Sequence, residues 1–189
     1  MPRIVDSRRA YDGYAKITVL TLADDDGEPY LREVVSIGQS ACVLPYDPER
    51  KVALVVRLPR APLLMQGIAT NLIEAPAGMI GDGEAAEATI RREAMEEAGL
   101  QLNQLEPVAV CWPSPGVFAE RTHLFLAPYR AADRVGRGGG LAEEHEGIVV
   151  EELPLADLWR AAQSGGLHDL KTLTLLLALN ARKPSLFAR

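Results

Sequence analysis

The chain has 189 residues, 48% of them apolar and 24% charged, which suits one globular domain with at most a short appendage and requires no disulfide or metal staple. Its formal net charge is -6 and its isoelectric point about 5.2. That balance argues against nucleic acid or an anionic membrane surface as partner, yet not against a small phosphorylated substrate reached through divalent metal and local arginines.

Ala15–Thr21 and Tyr30–Ser36 are rich in β-branched and aromatic residues and read as strands, with Asp24-Asp25-Asp26-Gly27 as the turn between them. Gln39–Pro45 is a further apolar strand. The turn Tyr46–Arg50 leads to its hairpin partner, Lys51–Arg57. Leu58–Asn71 holds two prolines and a glycine and reads as a loop, and Leu72–Ala77 as a short strand leading into Gly78. Glu84–Ala98 has neither Gly nor Pro and many good helix formers, so it is expected to be a helix, capped near Asp82 and ended by Gly99. Pro107–Trp112 and Arg121–Pro128 read as strands around a Pro-Gly loop, and Arg130–Glu146 as a long, mobile, glycine-rich loop. A strand at Gly147–Leu153 and helices at Pro154–Ser164 and Asp169–Ala181 complete an α/β or α+β pattern with a mixed sheet.

Cys42 and Cys111 lie in apolar stretches without metal-type spacing and read as buried, reduced thiols. Neither a secretory signal nor a membrane-length apolar run is evident, so the expected compartment is the cytoplasm.

The chemistry concentrates in Ala77–Leu100, AGMIGDGEAAEATIRREAMEEAGL. Glu93, Glu96 and Glu97 stand at i, i+3 and i+4 and share one helical face. On one ideal helix Glu84, nine residues earlier, would point roughly 180° away from Glu93. It can join the cluster only where the backbone bends at the helix start. Like charges on one face are unfavourable; Arg91 and Arg92 offset part of that cost, and a hard divalent cation would offset more. A solvated acidic helix face is the bland alternative for a Glu-x-x-Glu-Glu run alone.

The whole segment satisfies G-x5-E-x7-R-E-U-x-E-E-x-G-U through Gly78, Glu84, Arg92, Glu93, Glu96, Glu97 and Gly99, with Ala94 and Leu100 at the apolar positions. In this it resembles the Nudix hydrolase family. The resemblance implies an α/β/α sandwich whose box residues bind Mg²⁺, with Mn²⁺ as a substitute, and a water attack that splits a diphosphate. It further implies metal ligation by Glu93, Glu96, Glu97 and the Ala77 carbonyl, with Arg92 orienting the carboxylates.

Beyond the box, residues 10 to 180 resemble the ADP-ribose and GDP-mannose pyrophosphatase subgroup. Ser114-Pro115-Gly116 followed by Glu120 matches the ADP-ribose branch, and Arg32 and Arg60 match arginines that contact phosphates there. Arg57 lies one pleat off that pattern. Leu141–Ile148 resembles a loop carrying catalytic carboxylates, which makes Glu144 the candidate general base, with His145 as a competitor, and Glu146 a further metal ligand. The catalytic candidates are therefore Glu144, Arg92 and Glu96, and the substrate candidates Arg32, Arg60, Ser114 and Glu120. Gly138-Gly139-Gly140, Glu152-Leu153-Pro154 and Asp169-Leu170-Lys171-Thr172 resemble the GDP-mannose branch instead. Tyr14, Tyr30 and Phe118 are candidates to stack on the base.

The resemblance also implies a small antiparallel N-terminal sheet over residues 1–36, exchanged in a homodimer, ahead of a hydrolase domain over 37–189. The expected partner is a nucleoside-diphosphate sugar, ADP-ribose before GDP-mannose. An intact box speaks against the other class of reading, a sensor that binds the nucleotide sugar without cleaving it.

Overall fold

The computed structural model describes residues 1–25, 27–68, 71–141 and 147–188. The chain divides into two compact units, Met1–Gln39 with Cys111–Thr122, and Ser40–Val110 with His123–Arg189.

The first unit is built on an antiparallel sheet ordered β1 (Arg3–Asp12), β2 (Lys16–Ala23), β3 (Tyr30–Ser36). Pairing of β2 with β3 runs from Lys16 opposite Ser36 to Leu22 opposite Tyr30, close to the expected strands. The segment after Cys111 docks on β3 through Val35 N to Val117 O and Ala119 N to Val35 O, each 2.9 Å. Strand β1 was not legible as a strand. Every residue of RIVDSRRAYD is exposed, so no apolar face marks it; backbone pairing with β2 holds it, with register shifts near Ile4 and Arg9.

The second unit carries a seven-stranded mixed sheet. Its main path is β10 (Val149–Pro154), β5 (Val52–Leu58), β4 (Gln39–Asp47), β9 (Arg121–Pro128), β8 (Glu106–Cys111); β6 (Leu72–Glu74) pairs with β5 and β7 (Ala77–Met79) with β4. The β4–β5 turn forms because the Asp47 carboxylate accepts from the Glu49 and Arg50 amides, at 2.9 and 3.0 Å. Successive β4 side chains face opposite sides. Ala41 and Val43 join a core with Ile90, Ala94, Ala98 and Phe125, while Cys42, Leu44 and Tyr46 are buried too, so both faces of the strand are covered.

Helix α2 (Ala86–Ala98) turns Ala86, Ile90, Ala94 and Ala98 onto this core. Ala94, small for its place in the box, is fully buried in this core. Helices α3 (Leu155–Gln163) and α4 (Leu170–Arg182) bury Leu155, Leu158, Leu175, Leu176 and Leu179. Among the described residues no helix is long and apolar enough to cross a membrane.

Several expectations shift locally. The expected loop at 58–71 holds the short helix α1 (Ala61–Met65), whose Pro62 falls in the first turn, where no N–H is needed. The single strand expected at 72–77 is two, because Pro76 lacks an N–H and the chain changes partner from β5 to β4 there. Asp82 does not cap α2. Gly81–Glu84 closes a separate turn (Glu84 N to Gly81 O, 3.0 Å), and the cap residue is Ala85, without a side-chain bond. Gly99 does end the helix, in the left-handed conformation with φ 63° and ψ 28°. Cys42 is buried as expected, whereas Cys111 is only half-buried.

Candidate active site

Strand β7 and helix α2 build the box. At Gly78 the Glu93 side chain lies where a β-carbon would be, so only glycine lets that carboxylate cross the strand. Glu97 is buried on the same helix, and its Oε2 accepts from the Ala77 amide at 3.1 Å. That bond fixes the backbone whose carbonyl the box resemblance singled out.

Glu84, expected to begin the helix, instead lies just ahead of α2, which starts at Ala86, and the bend its spacing called for is the Gly81–Glu84 turn. Its carboxylate accepts from the Gly81 amide at 3.3 Å and stands 3.5 Å from Arg92 Nη2. The same guanidinium donates through Nη1 to Glu93 Oε1 and Glu96 Oε2, both at 2.9 Å. One arginine therefore organises three carboxylates. Burial opposes the Arg92 charge, but Glu84, Glu93 and Glu96 outweigh it and hold the guanidinium above the ordinary arginine range. The Glu84 carboxyl is held below the usual carboxylate range, by a Thr89 hydrogen bond first and by Arg92 and the Gly81 amide. Arg91 takes no part; it donates to the Leu102 carbonyl.

The donors are oxygen only, and the cradle at Gly78 aims one of them across β7, which fits a hard divalent cation. Among the described residues no three His, Cys, Asp or Glu side chains converge to metal-binding distance. Arg92 and the Ala77 amide hold these carboxylates in the arrangement seen, and Mg²⁺ characteristically takes one or two carboxylates and fills its remaining positions with water and phosphate oxygens.

The other described candidates each have partners within their own unit. Arg60 donates from Nε and Nη2 to the buried Glu74 at 2.8 and 2.9 Å, and Lys171 Nζ lies 3.8 Å from the same carboxylate. Arg57 pairs with Glu151 at 2.8 Å. Within the first unit, Arg32 donates to the Leu31 carbonyl and stacks 4.7 Å from the Tyr30 ring centroid. The Ser114 carbonyl accepts from the Val117 and Phe118 amides, and Glu120 accepts from the Thr122 hydroxyl at 3.2 Å. Glu144, His145 and Glu146 lie outside the described residues.

Two features escaped the sequence reading. A cleft of about 310 Å³ in the first unit is lined by Val34, Trp112, Pro115 and Phe118, joining one stacking candidate to a tryptophan read only as a strand residue. The signal was the aromatic spacing on either side of Ser114-Pro115-Gly116. The second is a contact of the glycine-rich segment: Gly139 N and Gly140 N donate to the Glu97 and Glu96 carbonyls at 2.8 and 3.1 Å. The described part of the expected mobile loop is thus bonded to the box helix.

Comparison with known proteins identifies the family. A family profile described as NUDIX domain matches residues 37–174. A GDP-mannose pyrophosphatase of Cronobacter sakazakii is 38% identical over 164 residues, 86% of this chain and 84% of that protein. One from Salmonella arizonae is 37% identical over 77% of this chain and 75% of its own length, and one from Escherichia coli O1:K1 is 33% identical over 92% of each. Among solved structures, an ADP compounds hydrolase superposes with a TM-score of 0.77 over 97% of this chain and 95% of that one; at 15% identity it establishes the fold alone. With the box intact and the profile covering most of its length, the chain belongs to the Nudix family and is a Nudix pyrophosphatase, a hydrolase.

Proposed function

We propose that the protein hydrolyses the pyrophosphate bond of a nucleoside-diphosphate sugar in a Mg²⁺-dependent reaction. The observation that carries this is the Arg92-centred cluster of Glu84, Glu93 and Glu96 beside the buried Glu97. Mg²⁺ held by Glu93, Glu96, Glu97 and the Ala77 carbonyl, with Glu146, would neutralise phosphoryl oxygens and lower the pKa of the attacking water. Arg92 orients the carboxylates, Glu144 takes the proton from water, and Arg32, Arg60, Ser114 and Glu120 recognise the substrate.

The names of the relatives favour GDP-mannose, which becomes the first candidate; ADP-ribose, first on sequence alone, becomes the second and rests on Ser114-Pro115-Gly116 with Glu120. Products would be the nucleoside monophosphate and the sugar phosphate. We also propose the homodimer exchanging residues 1–36, supported by the exposure of β1 along its whole length, with Ile4, Val5 and Tyr11 in water.

The test is kcat/KM for GDP-mannose, ADP-ribose, ADP-glucose and NADH, with Mg²⁺ and with a chelator. Turnover of a sugar nucleotide only with Mg²⁺ is the expected result. Tight binding without turnover would move the protein to the sensor class, and equal rates with chelator would remove the metal assignment.

A further inference from the structure

We infer that Gly138 is a positioning residue for the Glu96 and Glu97 carboxylates, acting through the backbone of the helix that carries them. The inference rests on reading those glutamates as metal-binding groups.

An α-helix leaves its last four carbonyls without partners inside the helix. At the end of α2 those of Glu96 and Glu97 are taken by Gly140 N and Gly139 N. The same segment bonds once more just beyond the helix, where Val135 N and Gly136 N both donate to the Gly99 carbonyl, at 2.9 and 3.0 Å. Residues 135 to 140 thus form a strap across the end of the box helix.

The strap lies too close for side chains. A β-carbon at Gly138 would overlap the Glu97 carbonyl and the Ala98 backbone, and one at Gly99 would overlap the Gly136 carbonyl. These obstacles are main chain and cannot swing away as a flexible side chain would. A methyl group at Gly138 must lift the strap, and the Gly139 and Gly140 bonds lengthen or break together. The last turn of α2 then loses the partners of the two carbonyls belonging to Glu96 and Glu97 themselves. Carboxylates that must meet a cation tolerate displacements well below an ångström poorly.

Left-handed geometry alone does not account for such an effect, and the molecule contains its own control. Gly165 has φ 75°, close to the 68° of Gly138, but nothing lies within 4 Å of a β-carbon placed there. Gly138→Ala and Gly165→Ala therefore share the backbone strain and differ in the overlap.

The experiment measures Mn²⁺ binding to the free enzyme by calorimetry for the wild type, Gly138→Ala, Gly165→Ala and Glu97→Gln. The expected result is a dissociation constant raised about tenfold or more in Gly138→Ala and changed by less than about twofold in Gly165→Ala. A Gly138→Ala constant within about twofold of wild type, while Glu97→Gln still loses the ion, overturns the strap and leaves the metal site standing. Unchanged binding in Glu97→Gln overturns the metal site instead. Should Gly138→Ala fail to fold, hydrogen exchange on the wild type decides. Gly139 and Gly140 amides protected like the end of α2, and protected further by Mg²⁺, support the strap; exchange at the unprotected rate removes it.

Discussion

The seat of the box helix and the three-stranded first unit hold their polar groups in opposite ways. Around α2, each carboxylate has a tight and specific neighbour: Glu93 in the space left by Gly78, Glu97 on the Ala77 amide, Glu96 and Glu84 on Arg92. In the first unit β1 is exposed at all ten residues, and Arg32 rests on its own neighbours, the Leu31 carbonyl and the Tyr30 ring. Chemistry common to a family needs fixed geometry, whereas recognition of one substrate among several can be placed on groups that order when it binds.

If that contrast holds, the largest losses come from the α2 seat. Glu97→Gln keeps the volume and an acceptor for the Ala77 amide but removes the charge, so kcat is expected to fall by at least about a hundredfold with little change in melting temperature. A rate within about tenfold of wild type would remove Glu97 from the metal site. Arg92→Gln leaves Glu84, Glu93 and Glu96 facing one another without their common cation, and kcat is expected to drop about ten- to a hundredfold. The half-saturating Mg²⁺ concentration should move with it. A loss confined to KM would mean that Arg92 meets substrate instead of arranging carboxylates.

Arg32→Ala tests the other side. Its effect is expected in KM for the sugar nucleotide, about tenfold, with kcat nearly unchanged and the Mg²⁺ requirement untouched. A kcat loss as large as that of Arg92→Gln would erase the distinction between the regions.

What was legible in the sequence follows the same division. Glu93, Glu96 and Glu97 were readable because helical spacing alone places them on one face; the angle of Glu84 showed only that it could join them where the backbone bends at the helix start, and the helix expected from Glu84 begins at Ala86 instead. Asp82 misled because Gly81–Glu84 closes its own turn upstream of α2. The strap was hidden because its contacts span about forty residues and are made by glycine amides, which have no side chain to betray a partner. The role of Glu74 was equally hidden: only the register of β6 on β5 and the docking of α4 bring Arg60 and Lys171 to it.

The smallest expected effect probes how the seat is anchored from below. Asp169 caps α4, its Oδ2 accepting from the Thr172 amide and hydroxyl at 2.8 and 2.6 Å, and that hydroxyl accepts from the Ala75 amide at 2.7 Å, two residues before Ala77. Burial alone would raise the Asp169 carboxyl, but the Lys171 ammonium and the Thr172 donors outweigh it and hold it below its ordinary 3.8. A carboxyl depressed by folding contributes stability in full above the unfolded value, and that contribution is lost as the pH falls through the lower folded value. Asparagine is itself a good cap, so Asp169→Asn isolates the charge. The variant is expected to be less stable by about 1 kcal/mol at neutral pH, and the gap should close in acid, once the wild-type carboxyl is protonated. Urea unfolding at about pH 7 and about pH 3 checks this, since an equal gap at both would show that shape, not charge, anchors the α4 cap beneath the box.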